Sequence, residues 1–119
     1  MKSENEIQQL IRIEAAKHKI ILWRNNSGVL NDESGRPVRF GLSNESKEQN
    51  KRFKSSDLIG ISSQGYFVAI EVKEEGWVFN GTEREFAQKN FIDFVKVRGG
   101  FAGFADSVDS FKEIVKDLI

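Results

Sequence analysis

The stretch that decides the fold runs from Ser55 to Gly76 and reads "SSDLIGISSQGYFVAIEVKEEG". Two runs rich in β-branched and aromatic residues, 58–62 and 66–73, flank a polar turn, which predicts an antiparallel hairpin. The second run is almost continuously apolar, so we expect it inside the sheet with both faces covered. Asp57 precedes the first strand, and Glu71 and Lys73 lie at the end of the second.

The flanking sequence predicts helices on both sides of this hairpin. Apolar residues at helical spacing over 3–18 follow a Ser3–Glu6 capping box, and a second capping box, Thr82–Glu85, opens a helix over 83–97. That second helix is expected to bury Phe86, Phe91, Phe94 and Val95. Asp106 or Ser107 caps a third, terminal helix.

Short strands are predicted at 20–24, 38–41 and 101–105, the second after a turn at Ser34-Gly35. Residues 43–55 lack periodicity and are expected to form a mobile loop or a short helix. Trp23 is assigned to the core. The predicted order is α-β-β-β-β-α-β-α, an α/β fold with a mixed central sheet flanked by helices.

Length and composition favour one soluble domain spanning 1–119. The chain has 119 residues and no Cys, which excludes disulfides, zinc-thiolate sites and thiol nucleophiles. No apolar run approaches the roughly 20 residues of a membrane span, and the N-terminus lacks the apolar region of a secretory signal. We therefore expect a cytoplasmic protein that has no membrane partner.

Charge is balanced overall but not along the chain. The 18 basic and 18 acidic residues give zero formal net charge. Residues 36–54, however, hold six basic side chains against two acidic ones, and this segment is a candidate DNA-backbone contact. The alternative is a solvated loop. The candidate contacts in this segment are Arg36, Arg39, Lys51, Arg52 and Lys54.

The hairpin geometry brings the three charged residues together. A turn centred on Gln64 places Asp57 directly opposite Glu71, with Cβ atoms ~5 Å apart. Lys73 projects from the same face because it lies two residues beyond Glu71. Opposed carboxylates repel, and a divalent cation relieves the repulsion. We expect Mg²⁺, with Mn²⁺ as an alternative, held by Asp57, Glu71 and the carbonyl of Val72. The competing interpretation is that these charges only solubilise strand ends.

The whole chain resembles a known nuclease family. The segments "RNNSG", "RPVRFG", "SSDLIGIS…GYFVAIEVK", "Q..FIDFV" and "GG.AG.A.S", in this order, are similar to the VRR-NUC domain of the PD-(D/E)XK superfamily. The resemblance implies a restriction-endonuclease-like core and a Mg²⁺-dependent DNA endonuclease. The substrate class implied is branched DNA such as Holliday junctions or flaps, in repair or recombination, in a bacterial or phage-infected host cell.

The resemblance also implies roles for individual residues. Asp57 and Glu71 match the family's metal-binding acids, and Lys73 matches its catalytic Lys. Gln88 matches a Gln that reaches the site, the alternative being an exposed helix amide. A Glu of the first helix completes such sites, and Glu6 is the first choice, with Glu4 as the alternative.

Further contacts are expected around this site. Arg24, Asn26 and Ser27 are candidates for contacts to backbone phosphate, with plain turn chemistry as the alternative. Trp77 and Phe79 are candidates for stacking on an unpaired base. A symmetric homodimer would place two sites on two DNA strands. The competing functions are a nucleic-acid-binding module without turnover and a structural or partner-binding domain.

Overall fold

The computed structural model of the protein describes residues 1–119. The chain forms four helices, six strands and a final 3₁₀ turn at Lys116–Leu118. In chain order the elements are α1 (Glu4–Lys17), β1 (Ile21–Arg24), β2 (Gly28–Asn31), β3 (Pro37–Phe40), α2 (Lys47–Arg52), β4 (Leu58–Ile61), β5 (Phe67–Val72), α3 (Glu83–Val97), β6 (Phe101–Ala105) and α4 (Val108–Ile114).

A four-stranded mixed sheet lies at the centre in the order β1-β4-β5-β6. β4 runs antiparallel to both β1 and β5, whereas β6 runs parallel to β5. The parallel connection from β5 to β6 passes through α3, as a crossover requires. The predicted α/β fold with a mixed central sheet and flanking helices is confirmed at this level.

The register of the central hairpin is the predicted one. β4 and β5 pair from Leu58–Ile70 through to Ile61–Phe67. Continuing this register by one residue beyond Leu58 sets Asp57 opposite Glu71. β5 is also the most enclosed strand, since every residue from Val68 to Val72 is buried.

Alternation along β5 divides the core between the two faces of the sheet. Val68, Ile70 and Val72 face α1 and α4 and join a buried cluster that includes Ile11 and Phe111. Ala69 faces α3 and joins the second cluster. Glu71 has the same parity as Ala69, so its carboxyl lies on the α3 face. Each fully buried large side chain contributes about 1.5–3 kcal/mol.

The bounds of α3 match the prediction, but its buried face differs. Phe91 and Val95 are buried as expected, whereas Phe86 is 51% and Phe94 43% exposed. The buried face also includes Ala87, Gln88 and Ile92. Because each residue advances the helix by about 100°, Phe86 points well away from a face centred on Gln88. The expectation that Phe86 and Phe94 are core residues is therefore wrong.

The segment between β1 and β4 also departs from the predicted element order. It contains an additional strand, β2, which pairs with β3 in a separate two-stranded sheet, and a short helix, α2. Most side chains of β2 and β3 are exposed, so they carry no alternation of burial from which a strand is recognised. Residues 43–55 thus include a short helix, one of the two forms expected.

Two further features of the surface bear on the predictions. Trp23, assigned to the core, is 52% exposed because β1 is an edge strand and no helix covers that side chain. No helix of the structure combines the length and the apolar character that crossing a membrane requires.

Candidate functional site

A polar cavity of about 370 Å³ opens at the end of the central hairpin away from its turn. Its walls come from the loop after β1, the β2–β3 hairpin, the segment around α2, the start of β4, the end of β5 and α3, and only one of its 14 lining residues is hydrophobic. The charged residues of the lining are Asp57 and Glu71 on the hairpin and the cations Arg39, Lys54 and Arg84. The cavity therefore combines an acidic pair with basic walls.

Asp57 and Glu71 form a carboxyl pair. The backbone N–H of Val72 donates to Oδ2 of Asp57 over 2.9 Å, which fixes the Asp57 side chain against β5. Glu71 is only 5% exposed. Burial, followed by the hydrogen bond and the negative charge of Asp57, raises the pKa of Glu71 to about 9. At neutral pH, without a cation, the pair therefore retains one proton.

Lys73 projects from the same face of the sheet as Glu71, two residues further along the chain, but it does not line the cavity. Its Nζ donates to Oε1 of Gln88 over 2.9 Å, and Gln88 is buried on α3. Nζ also lies 5.2 Å from the centre of the Trp77 ring. The charge of Lys73 acts to lower the pKa of Glu71, so the two groups interact electrostatically. Gln88 lines the cavity and Lys73 is one hydrogen bond behind it.

The backbone that carries Asp57 is held by Asn25, a residue that the sequence reasoning missed. The N–H of Asn25 donates to the carbonyl of Asp57 over 2.8 Å. Its side-chain amide donates to Oγ of Ser55 and to the carbonyl of Ser56, over 2.8 and 2.9 Å. The sequence offered one signal, the Asn25-Asn26 pair directly after β1, but the prediction named only Asn26.

Three cations wall the cavity, and none of them forms an ion pair with a carboxylate. Arg39 donates instead to the backbone and side-chain oxygens of Asn44, over 3.1 and 2.9 Å. Desolvation, and then the positive charges of Arg84 and Arg39, lower the pKa of Lys54. Cations kept close together without anionic partners suit a ligand that carries several negative charges.

Arg84 is the second residue that sequence reasoning missed. It lines the cavity from the first turn of α3, and its charge acts to lower the pKa of Glu71. Arg84 lies far along the chain from the basic segment 36–54, so the local count of charges could not include it. Its position could have been inferred only from the docking of α3 on the hairpin.

The structure brings together only part of the predicted DNA-contact set. Asn26, Ser27, Arg39 and Lys54 line the cavity. The remaining candidates lie outside it: Arg36 pairs with Asp32 across the turn of the β2–β3 hairpin, Arg24 is exposed at the end of β1, and Lys51 and Arg52 lie on the exposed side of α2.

Neither candidate glutamate of the first helix reaches the cavity. α1 packs on the face of the sheet opposite to Glu71. Glu6 is exposed, and its Oε1 accepts from Oγ of Ser3 over 3.3 Å at the helix start. Glu4 is also exposed. Accordingly, no group of three or more Asp, Glu or His side chains comes together anywhere in the structure as a metal site.

The groups that are present nonetheless fit a magnesium ion. Mg²⁺ is commonly bound by one or two carboxylates, with water and substrate oxygens completing its shell. Asp57 and Glu71 supply the carboxylates. The N–H of Val72 points toward Asp57, so the carbonyl of the same residue points to the same side of the strand. A divalent cation would replace the proton that the pair otherwise retains.

Comparisons of the chain with protein-family models, with curated proteins and with solved structures each return no match. The resemblance to VRR-NUC nucleases therefore stays a prediction from sequence motifs.

Proposed function

We propose that the protein is a Mg²⁺-dependent DNA endonuclease with a PD-(D/E)XK core of the VRR-NUC type. The observation that carries the proposal is the carboxyl pair of Asp57 and Glu71 in a cavity walled by three unpaired cations. An acidic pair inside a basic cavity can bind a cation, and that cation can in turn bind an anionic substrate. A phosphodiester of DNA is such a substrate.

Asp57, Glu71 and the carbonyl of Val72 would hold the ion. A bound Mg²⁺ would supply positive charge to the phosphate and make the attacking water more acidic. Lys73 would act on the phosphate from behind Gln88, since its Nζ lies on the same face as the pair without lining the cavity itself. Gln88 orients that amine through the 2.9 Å hydrogen bond, so Gln88 is a positioning residue.

The walls of the cavity would bind the DNA backbone on either side of the reacting phosphate. Arg39, Lys54 and Arg84 carry free positive charge there, and Asn26 and Ser27 add polar groups. Contacts of this kind place a strand without reading its bases. We therefore propose recognition by DNA shape, which suits branched substrates such as flaps and four-way junctions.

A homodimer belongs to this proposal. One copy of the chain offers one such cavity, whereas a cut on two strands of a junction requires two. The α3 face of the sheet exposes a row of apolar side chains, Ile21, Ile61 and Phe67, which are register neighbours across three strands, and Trp23 lies beside Ile21. A contiguous exposed apolar patch is typical of protein interfaces.

Metal-controlled cleavage tests the proposed activity. Labelled linear, flapped and four-way DNA is incubated with the protein in Mg²⁺ and in EDTA, alongside Glu71→Gln and Lys73→Met. We expect cleavage of branched DNA in Mg²⁺ only. The rate should fall at least about 10³-fold in Glu71→Gln and about 10²–10³-fold in Lys73→Met, since each removes charge that acts on the transition state. Glu113→Gln, on the exposed surface of α4, is the matched control and should cleave normally.

One observation favours a second candidate, a DNA-binding module without turnover. The structure assembles two carboxylates at the cavity and no third acid. If the pair keeps its proton and holds no metal ion, the protein would bind phosphate only through the cations of the cavity wall. Tight binding of branched DNA without cleavage in Mg²⁺ or Mn²⁺ would support the module and exclude the endonuclease.

A further inference from the structure

A second cleft of about 590 Å³ adjoins the cavity, between α2 and the first turns of α3. Lys54 and Arg84 line both spaces, so they form the boundary between the two. The remaining polar wall of the cleft includes Lys51 and Asn90. A polymer with a phosphate at the carboxyl pair would enter this cleft after crossing Lys54 and Arg84.

One wall of the cleft carries an exposed aromatic ring. Phe86 is 51% exposed, although its ring is held from one side. Phe79 packs against that ring edge to face, with centroids 5.3 Å apart and planes at 84°. Because Phe86 is fixed on α3 and supported by Phe79, it presents a preformed flat apolar surface at the side of a basic cleft.

The charge of the cleft is predominantly positive. Lys51, Lys54 and Arg84 form no ion pair, and Glu83 is the only acid in the lining. The desolvated position of Lys54 beside other cations shows that this charge is concentrated at the boundary. Positive charge beside an aromatic face is the combination by which proteins bind single-stranded nucleic acid without sequence preference.

The walls of the cleft are fixed relative to one another. The side-chain amide of Asn90 on α3 donates to the carbonyl of Arg52 at the end of α2 over 3.0 Å. The N–H of Lys54 donates to the carbonyl of Ala87 over 3.0 Å. These two bonds join the segment after α2 to α3, so the cleft is organised before any ligand arrives.

We propose that this cleft binds an unpaired nucleotide next to the cut site, with its base stacked on Phe86 and its phosphate held between Lys54 and Arg84. The position of the cut site rests on the proposed function. A base inside a duplex is already stacked on its neighbours, so only an unpaired base can use the ring. The substrate class that follows is DNA with a single-stranded segment adjoining a duplex, as in a flap.

Binding measured in EDTA tests the inference separately from cleavage. Fluorescence anisotropy compares a flapped oligonucleotide with a blunt duplex, using the parent protein and Phe86→Leu, which keeps apolar bulk without the ring. We expect Phe86→Leu to weaken flap binding about tenfold and to leave duplex binding nearly unchanged. Phe86→Trp should bind the flap at least as well as the parent, which separates stacking from loss of fold.

Phe94→Leu is the matched control, because Phe94 is 43% exposed on the same helix and does not line the cleft. The inference is overturned if Phe86→Leu binds both DNAs like the parent, weakens binding of both equally, or behaves like Phe94→Leu. If the parent does not cleave DNA in Mg²⁺ but binds the flap more tightly than Phe86→Leu does, the nuclease proposal alone is overturned. The fluorescence of a 2-aminopurine placed at the first unpaired position, which reports a change in its stacking partners, should change more on binding to the parent than on binding to Phe86→Leu.

Discussion

At the scale of single residues, Glu71 determines how the cavity behaves. It lies in the most enclosed strand and opposite another acid, so its ionised form is disfavoured by both burial and charge. The sequence was sufficient to predict this pairing, since register follows from the position of the turn. It was not sufficient to predict the strength of the effect, because that depends on how completely α3 and the neighbouring strands exclude water.

The raised pKa predicts how stability changes with pH. In the unfolded chain Glu71 ionises near its ordinary pKa of 4.5, whereas in the folded protein the pKa is about 9. The folded state binds the proton more tightly, so the free energy of unfolding should fall as pH rises between these two values, by on the order of a few kcal/mol. Glu71→Gln should remove this loss and melt several degrees higher than the parent near pH 8.

Thermal melts from pH 5 to 9 in EDTA measure this effect. Glu113→Gln serves as the control and should follow the parent. If the melting temperatures of the parent and Glu71→Gln change with pH in parallel over the whole range, ionisation of Glu71 is not the cause of the loss of stability.

The hairpin geometry predicted the position of site residues better than the family resemblance did. Asp57 and Glu71 come together because they belong to one hairpin, and local register controls them. Glu6 depends on how α1 docks on the sheet, and in the structure it lies on the other face. Docking of a helix is decided by packing across the whole core, which a motif on that helix does not encode.

At the scale of elements, β4 holds the site because it pairs closely with the strands on both sides. Gly60 in β4 lies so close to β1 that a Cβ at this position would overlap the carbonyl oxygen of Ile21. This close approach supports the loop after β1, which carries Asn25 and Asn26 to the cavity. The Gly is therefore required by backbone contact, because its φ is not in the left-handed region.

Gly60→Ala should destabilise the protein by about 2–4 kcal/mol, because the β1–β4 ladder must open to admit the methyl group. Urea unfolding measures the change. The matched control is Gly103→Ala in β6, where the added methyl group would meet the side chain of Ile114, which can move. An equal loss of stability in both variants would contradict the close approach of β1 and β4.

Helix α3 shows which features of an element its sequence specifies. The capping box of Thr82 and Glu85 fixed its start, and Glu85 also accepts from Nε1 of Trp77 over 3.1 Å. This bond holds Trp77, so the side chain predicted to stack on a base is half-buried against the protein. Apolar character alone misassigned Phe86 to the core, and its exposure in a basic cleft is the basis of the proposed nucleotide site.

At the scale of the whole molecule, the exposed apolar row on the α3 face predicts self-association. Trp23→Glu places a charge within this patch and should raise the dimer dissociation constant at least about 100-fold, since a buried unpaired charge costs several kcal/mol. Val97→Glu, at a residue 82% exposed outside the patch, is the control. Sedimentation equilibrium measures both, and a parent protein that stays monomeric at every concentration would refute the dimer.

The general architecture followed from sequence because apolar periodicity and capping boxes define α1, α3 and the central hairpin directly. The β2–β3 hairpin and α2 were harder to predict because they bury little, so their residues show no periodic pattern. The cavity forms where these weakly encoded segments meet the strongly encoded hairpin. Asn25 and Arg84 were consequently missed, since each reaches the cavity only through tertiary placement.

On the proposed function, the Asp57–Glu71 pair holds either a proton or a divalent cation. Carbon-13 NMR of labelled glutamate carboxyl groups, with Glu71 assigned from Glu71→Gln, measures the pKa of Glu71 directly with and without saturating Mg²⁺. We expect a pKa of about 9 in EDTA, and a pKa lower by at least about one unit in Mg²⁺, because the cation competes with the proton. A pKa near 4.5 in EDTA, or the same value in both conditions, would contradict this expectation.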